Sequence, residues 1–400
     1  MKRLIIIILI VMLAFPSWVL VSANGAAGDT NALDEARKYY KLESQDNGPI
    51  TKTDGTAFRV CYVDIDPYPA TGEILYYFIA QLAKEGWISL EEELPFDPSN
   101  TDAKELISYL ASRDIGPYLK FSDDASYYIS DEYDGVSYTK KHIKKQIDRG
   151  EIDIIFCLGT WPADMLINDM GIREIPIMVS GTVDPVASGI VDGDEYSGRT
   201  NIWCHTNRGV YRNQMKFYHD VSQFQNIGMV FYDEAIGSYG PYSESAKENG
   251  FTITYKKIDR PSVMDEAYYN MLKAEYKALV DKGIDAFLLN ADMIRDEDQV
   301  EKLLEVFYEK NIPVFVQTSE YFVKDGATMI VTAVDSVTLS VFLADTLKKI
   351  LHGAKPEELI QEYATPPFLS INLDVTDRIG LPISSDTLRS AENIYSKKKN

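Results

Sequence analysis

Thr160 stands in the stretch Leu158-Gly159-Thr160-Trp161-Pro162-Ala163, between an apolar run of strand length and an amphipathic run of helix length. A hydroxyl residue there can cap the helix, and proline is tolerated in a first turn. The unpaired N–H groups of such a turn also suit a carboxylate or another anion. Capping and anion binding explain Thr160 equally well when the stretch is read in isolation. Ser180-Gly181-Thr182-Val183-Asp184-Pro185-Val186 repeats the arrangement after the next apolar run. Asp-Pro is a common turn device, and turn chemistry alone accounts for it; the same carboxylate could instead pair with an amine. Asp335, between an apolar run and a helix start, has the position of an N-cap. Asp292, after the run ending at Leu289, carries the same ambiguity. Together these residues have the layout of a zwitterion site, with helix N–H groups for a carboxylate and side-chain carboxylates for an ammonium. Gly159, Thr182 and Ser238 complete the candidate ligand-binding set, with Trp161 and Tyr68 able to stack on an apolar or aromatic ligand group.

No catalytic pattern competes with this binding layout. The chain has no G-x-S-x-G elbow, no P-loop and no H-E-x-x-H. Gly159 and Gly181 follow strands, yet neither opens a G-x-G-x-x-G. His142, His205, His219 and His352 form no cluster with cysteine, so no zinc site, cofactor or enzymatic activity is expected. Cys61 and Cys157 lie inside apolar runs, where free cysteine behaves as a small hydrophobe. One disulfide with one cysteine left over is possible, but no spacing suggests it.

The elements that must position these residues alternate along the chain. Strand-length apolar runs are read at 58–63, 152–157, 175–179, 226–232, 252–258, 286–289, 313–316 and 328–334. Helix-length amphipathic stretches separate them, at 72–86, 138–149, 161–170, 208–219, 240–249, 265–282, 297–310 and 336–351. Strands separated by helices mean βαβ units and parallel sheets. About four strands fall in each half of the chain, which predicts two doubly wound α/β lobes. Ligands meet such lobes at the loops after the carboxyl ends of strands, where the residues above fall.

The amino terminus has a basic Met1-Lys2-Arg3, an apolar run from Leu4 to Phe15, and Val21-Ser22-Ala23. That is the pattern of a cleaved secretory signal peptide over 1–23; a retained membrane anchor is the other reading. Residues 24–56 are polar and small and read as a linker. The net charge is −21, a balance that keeps a protein soluble and repels nucleic acid and anionic membrane.

At these same residues the sequence resembles a known family, the ABC transporter substrate-binding proteins related to the tryptophan-binding components of Gram-positive importers. Asp153 to Ala163 resembles the family's strand and G-T-P-A turn, with Trp161 inserted. Ile175 to Val186 is similar to its I-P-I-V…T-D-P-V segment, and Thr200-Asn201-Ile202 to its N-I-T-G crossover. Asp285-Ala286 with Asp292, Asn311 to Phe315, Lys324 to Ala327 leading to Asp335, Ser370 to Leu373 and Ile379 to Pro382 follow in order. Val183 departs from the family's Thr, Trp203-Cys204 from its Thr-Gly, and Met293 from its Asn; 87–136 resembles an insertion.

The resemblance implies a type 1 periplasmic-binding-protein fold, with two Rossmann-like lobes joined by three crossovers. Lobe 1 is expected at 57–185 plus 327–353 and lobe 2 at 200–325 plus 365–400, with hinge strands near 200–201, 319–324 and 363–367. It also implies an exported monomer on the periplasmic or extracellular side of the envelope. This would bind a small zwitterionic, amino acid-like solute, the aromatic amino acids among the candidates, for a membrane permease and an ATPase. A sensing module that feeds a membrane receptor or kinase is the alternative.

Overall fold

The computed structural model describes residues 47–67, 69–182, 184–232, 239–261, 263–290, 293–332, 336–363 and 368–396. The expected signal peptide and most of the linker lie outside these. Two sheets organise the chain. The first has β1 (Phe58–Asp64), β2 (Leu119–Tyr128), β3 (Ile154–Leu158), β4 (Ile177–Ser180) and β5 (Ile202–Cys204), in the order β2-β1-β3-β4-β5 and all parallel. The second has β6 (Asn226–Tyr232), β7 (Thr252–Ile258), β8 (Ala286–Leu289), β9 (Val314–Val316), β10 (Met329–Thr332), β11 (Phe368–Asn372) and β12 (Asn393–Tyr395), in the order β12-β11-β10-β9-β8-β6-β7. Only the β10–β11 pair is antiparallel.

The inner strands β3, β4, β6 and β8 read as near-continuous apolar runs because both faces of each sheet are covered. Val60 and Tyr62 of β1 enter one core with Phe156, Met178 and Trp203. Cys61 and Val63, one residue out of phase, enter the core on the other face with Cys157, Val179 and Cys204. The second sheet divides in the same way, Val230 and Tyr232 to one side and Ile227, Met229 and Phe231 to the other. All three cysteines are free and buried, and desolvation raises their thiol pKa values.

Pairing of the strands corrects the expected lobe boundaries. Strand β10, grouped by sequence with lobe 1 in 327–353, belongs to the second sheet. Thr328 fixes it there, its N–H donating to Val314 O at 2.8 Å and its hydroxyl accepting from Val314 N–H at 2.9 Å. Only the helix Ser336–Leu351 returns to the first lobe, placing Leu339, Leu343, Leu347 and Ile350 in its core and Lys348 against Glu85 at 2.5 Å. Strand β5 belongs to the first sheet, so the first passage comes after Cys204 rather than at 200. Residues 319–324 stay within the second lobe. The segment 87–136, expected as an insertion, supplies helix Ala103–Ala111 and edge strand β2.

Three passages therefore join the lobes: after β5, between Thr332 and Ser336, and between Tyr363 and Phe368. The first and third are laced together. Cys204 N–H donates to Gln361 Oε1 at 3.0 Å, Thr206 N–H to Gln361 O at 3.0 Å, and Trp203 Nε1–H to Ile360 O at 3.0 Å. His205 Nε2 lies 3.2 Å from Tyr363 O, and the Tyr363 ring stacks on Phe342 at 4.5 Å. Burial holds the His205 imidazole down at about 4, which keeps it neutral in this packed hinge.

Candidate functional site: the interlobe crevice

In doubly wound sheets the ligand crevice lies outside the carboxyl ends of the strands, where strand order reverses. In the first sheet that reversal is between β1 and β3. The loops after β1, β3 and β4 meet there. Gly159 N–H donates to Ser180 O at 2.9 Å, continuing the ladder between the β3 and β4 loops. Both glycines of these loops have positive φ, 102° at Gly159 and 72° at Gly181. A Cβ on Gly181 would stand 3.4 Å from Gly159 N, and one on Gly159 would stand 3.2 Å from Ile65 Cδ1. The positive φ is what calls for glycine at both positions, with the contacts leaving little room to spare.

Gly159 is also the N-cap of the short helix Thr160–Asp164, which continues through a π-turn over Met165–Asp169. Thr160 is thus the first helical residue rather than the cap. Its hydroxyl makes no hydrogen bond with the described residues, so capping does not account for it. Trp161 beside it is 41% exposed. Thr182 is committed elsewhere, with Oγ1 3.3 Å from Cys204 Sγ. Asp184 is only 2% exposed. Its Oδ1 accepts from Ala187 N–H at 2.9 Å, the turn role expected of Asp-Pro. Its Oδ2 faces the other lobe, 3.9 Å from where a Gly240 Cβ would be, in the first turn of helix Tyr239–Asn249. A carboxylate at a helix amino terminus is favourably placed. Tyr68, Ser238, Asp292 and Asp335 lie outside the described residues.

Charged groups that sequence reasoning did not single out also stand at this edge. Asp64 ends β1 in full burial. Its Oδ2 accepts from the Tyr62 hydroxyl at 2.8 Å and its Oδ1 from Ile65 N–H at 2.6 Å. Burial pushes its carboxyl up to about 7, against hydrogen bonds from Thr71, Tyr62 and Ile65 that favour the ionised form. Asp66, two residues on, pairs with Arg295 of the second lobe, Nη2 to Oδ2, at 2.9 Å. At the end of β7 the Arg260 guanidinium lies 4.3 Å over the Tyr232 ring. The run Asp64-Ile65-Asp66 directly after a strand was the visible signal for the first two.

Two shallow concavities lie away from this crevice, at the amino ends of the strands. One, of about 360 Å³, is lined by Val280, Asp281, Ile284, Asp285 and Lys310 to Ile312. The other, of about 370 Å³, is lined by Arg173 and Gly198 to Asn201. Among the described residues no cluster of His, Cys, Asp and Glu could hold a metal ion, and no helix is long and apolar enough to cross a membrane.

Comparison with known proteins bears on what binds in the crevice. The sequence profile of a family described as ABC transporter substrate binding protein matches residues 134–395. No curated protein matches the chain. Solved structures share its fold at low identity. A conserved domain protein from Vibrio cholerae superposes with a TM-score of 0.63 at 17% identity, over 85% of this chain and all of that one. An ABC domain from Streptococcus pneumoniae in complex with L-Trp gives 0.61 at 15% identity, again over 85% and 100%. A substrate-binding protein with adhesive properties from Clostridium difficile, in its ligand-free, open structure, gives 0.57 at 18% identity with the same coverage.

Proposed function

The chain belongs to the ABC transporter substrate-binding protein family, with that family's two-lobed α/β periplasmic-binding fold, and on this premise we propose that it closes on a small zwitterionic, amino acid-like solute. In this reading it works outside the cytoplasmic membrane and hands the solute to the permease and ATPase of an importer. Thr160 and the N–H groups after it hold the carboxylate; Asp184 or Asp335 holds the amine; Trp161 or Tyr68 stacks on the solute's side chain.

The observation that carries this reading is the pairing of an uncommitted hydroxyl with a buried carboxylate on adjacent strand ends. Thr160 is not used up in capping, and Asp184 reaches across to the second lobe. A charge-assisted hydrogen bond to an ammonium contributes roughly 1.5–3 kcal/mol. A favourable contact with a helix amino terminus adds about 0.3–1 kcal/mol. An L-Trp complex in a protein of the same fold adds the aromatic class as the first to try.

Native mass spectrometry of the purified chain, followed by calorimetric titration with L-tryptophan, L-tyrosine and their decarboxylated amines, tests the proposal. Binding of an amino acid with loss of affinity for the amine supports it. Retention of a neutral sugar or nucleoside, with no amino acid bound, would refute the zwitterion assignment.

A further inference from the structure

Arg295 and Asp66 are separated by 229 positions in the chain and meet at 2.9 Å across the crevice. This ion pair joins the first lobe to the second. Both ends are held before they meet. On the second lobe, Met293 and Ile294 are buried, and Met293 O accepts from the Tyr268 hydroxyl at 3.0 Å. The Tyr269 hydroxyl accepts from Arg295 N–H at 3.3 Å and from Asp296 N–H at 3.2 Å, and the Tyr321 hydroxyl donates to Ile294 O at 3.1 Å. Three tyrosines thus fix the backbone that presents the guanidinium. On the first lobe, Ser130 N–H donates to Ile65 O at 2.8 Å, and Ile65 N–H is taken by Asp64. Asp66 is 12% exposed and Arg295 46% exposed, so the pair lies at the mouth of the crevice with its acid inside and its base partly in solvent.

We propose that Asp66 and Arg295 form an interlobe latch that stabilises the closed crevice and thereby sets the affinity for any solute. A net charge of −21 makes the lobes of this chain repel one another, and one guanidinium on a buried carboxylate opposes that repulsion where the lobes meet. A protein that must close to bind pays for an unfavourable closed state with affinity, in proportion to the fraction that is competent. Opening breaks this pair, and nothing in either anchored segment lets its ends follow each other. The latch therefore weighs the equilibrium without touching the solute.

The test needs no solute, so its failure leaves the solute-binding reading standing. Spin labels at Lys144→Cys and Lys302→Cys, both exposed and on different lobes, report the interlobe distance; the three native cysteines are buried and escape labelling. The chain is expected to show a short-distance population. Arg295→Gln and Asp66→Asn should each lower the closed-to-open ratio by about two- to five-fold, the range for a partly exposed pair. The exchange Asp66→Arg with Arg295→Asp should restore it. If Asp66→Asn fails to fold, Arg295→Gln and Arg295→Ala, at a partly exposed position, decide the matter. An unchanged distance distribution in the single variants that fold overturns the latch.

Discussion

Replacing Asp64 by asparagine tests how the crevice edge of the first lobe is balanced. Burial raises this carboxyl from 3.8 to about 7. Its folded pKa therefore exceeds its unfolded one, so the folded state binds the proton more tightly between those values. Stability from this group is present in full below about pH 4 and is lost as the pH rises toward about 7. At about 1.4 kcal/mol per pKa unit the loss amounts to roughly 4 kcal/mol across that window. Asparagine cannot ionise, so Asp64→Asn removes the slope. It also leaves one carbonyl oxygen to serve the donors from Tyr62, Ile65 and Thr71, which costs about 1–3 kcal/mol at every pH. The variant should thus be the weaker protein near pH 4 and gain on wild type as the pH rises. Urea unfolding followed by tryptophan fluorescence reads this lobe directly: of the four tryptophans, the three among the described residues, Trp87, Trp161 and Trp203, all lie in the first lobe. If the stability difference between variant and wild type is flat from about pH 4 to about pH 8, the carboxyl does not titrate there and the argument from burial fails.

Asp184→Asn keeps an acceptor for Ala187 N–H but loses the charge, so folding should survive while affinity for an amino acid falls about 10- to 100-fold in calorimetry; full affinity in both this variant and Asp335→Asn would leave the amine without a partner. Trp161→Ala removes a ring that is largely outside the core, and should leave the unfolding midpoint in place while weakening binding of aromatic amino acids and abolishing the ligand-induced change in tryptophan emission; an unaltered affinity for L-tryptophan would remove Trp161 from the site. Glu320 Oε1 accepts from Ser370 Oγ at 2.6 Å, Asn393 Nδ2 at 2.6 Å and the Tyr395 hydroxyl at 2.8 Å, so Glu320→Ala should speed hydrogen exchange in β12 selectively, and uniform exchange rates would show that the strand is held by its backbone alone.

What the sequence made legible follows from burial. Strands covered on both faces are apolar over their buried stretches, so Val60 to Val63 of β1, β3, β4, β6 and β8 stand out as near-continuous runs. Strand β2 does not, because its partner's register breaks: Val60 pairs with Phe121, but Tyr62 pairs with Ser126. The residues between them, Ser122 to Ala125, leave the ladder, and their polarity interrupts the pattern that marks a strand. The lobe boundaries were misread for a related reason. A crossing between lobes needs only a few residues, and the chain enters and leaves it through an ordinary strand and an ordinary helix. Periodicity reports that Met329, Ile330 and Val331 are buried, not which sheet buries them.

The site divides along the same line. Local groups were readable: Asp184 for a turn, and Gly159 and Gly181 as glycines that directly follow strands. Thr160 was half readable, since hydroxyl residues favour N-caps, but the positive φ that brings the β3 loop against the β4 loop moves the cap back to Gly159. That one-residue shift is what leaves the Thr160 hydroxyl uncommitted. Arg295 carries no local signature, and the run Asp64-Ile65-Asp66 marks a strand end without naming the partner of Asp66. Each is an ordinary charged residue in its own segment, and their meaning comes from a distance between two lobes. A charge whose partner lies in another lobe is the part of a binding protein that sequence reading is least equipped to find, and it is the part that decides how readily the lobes close.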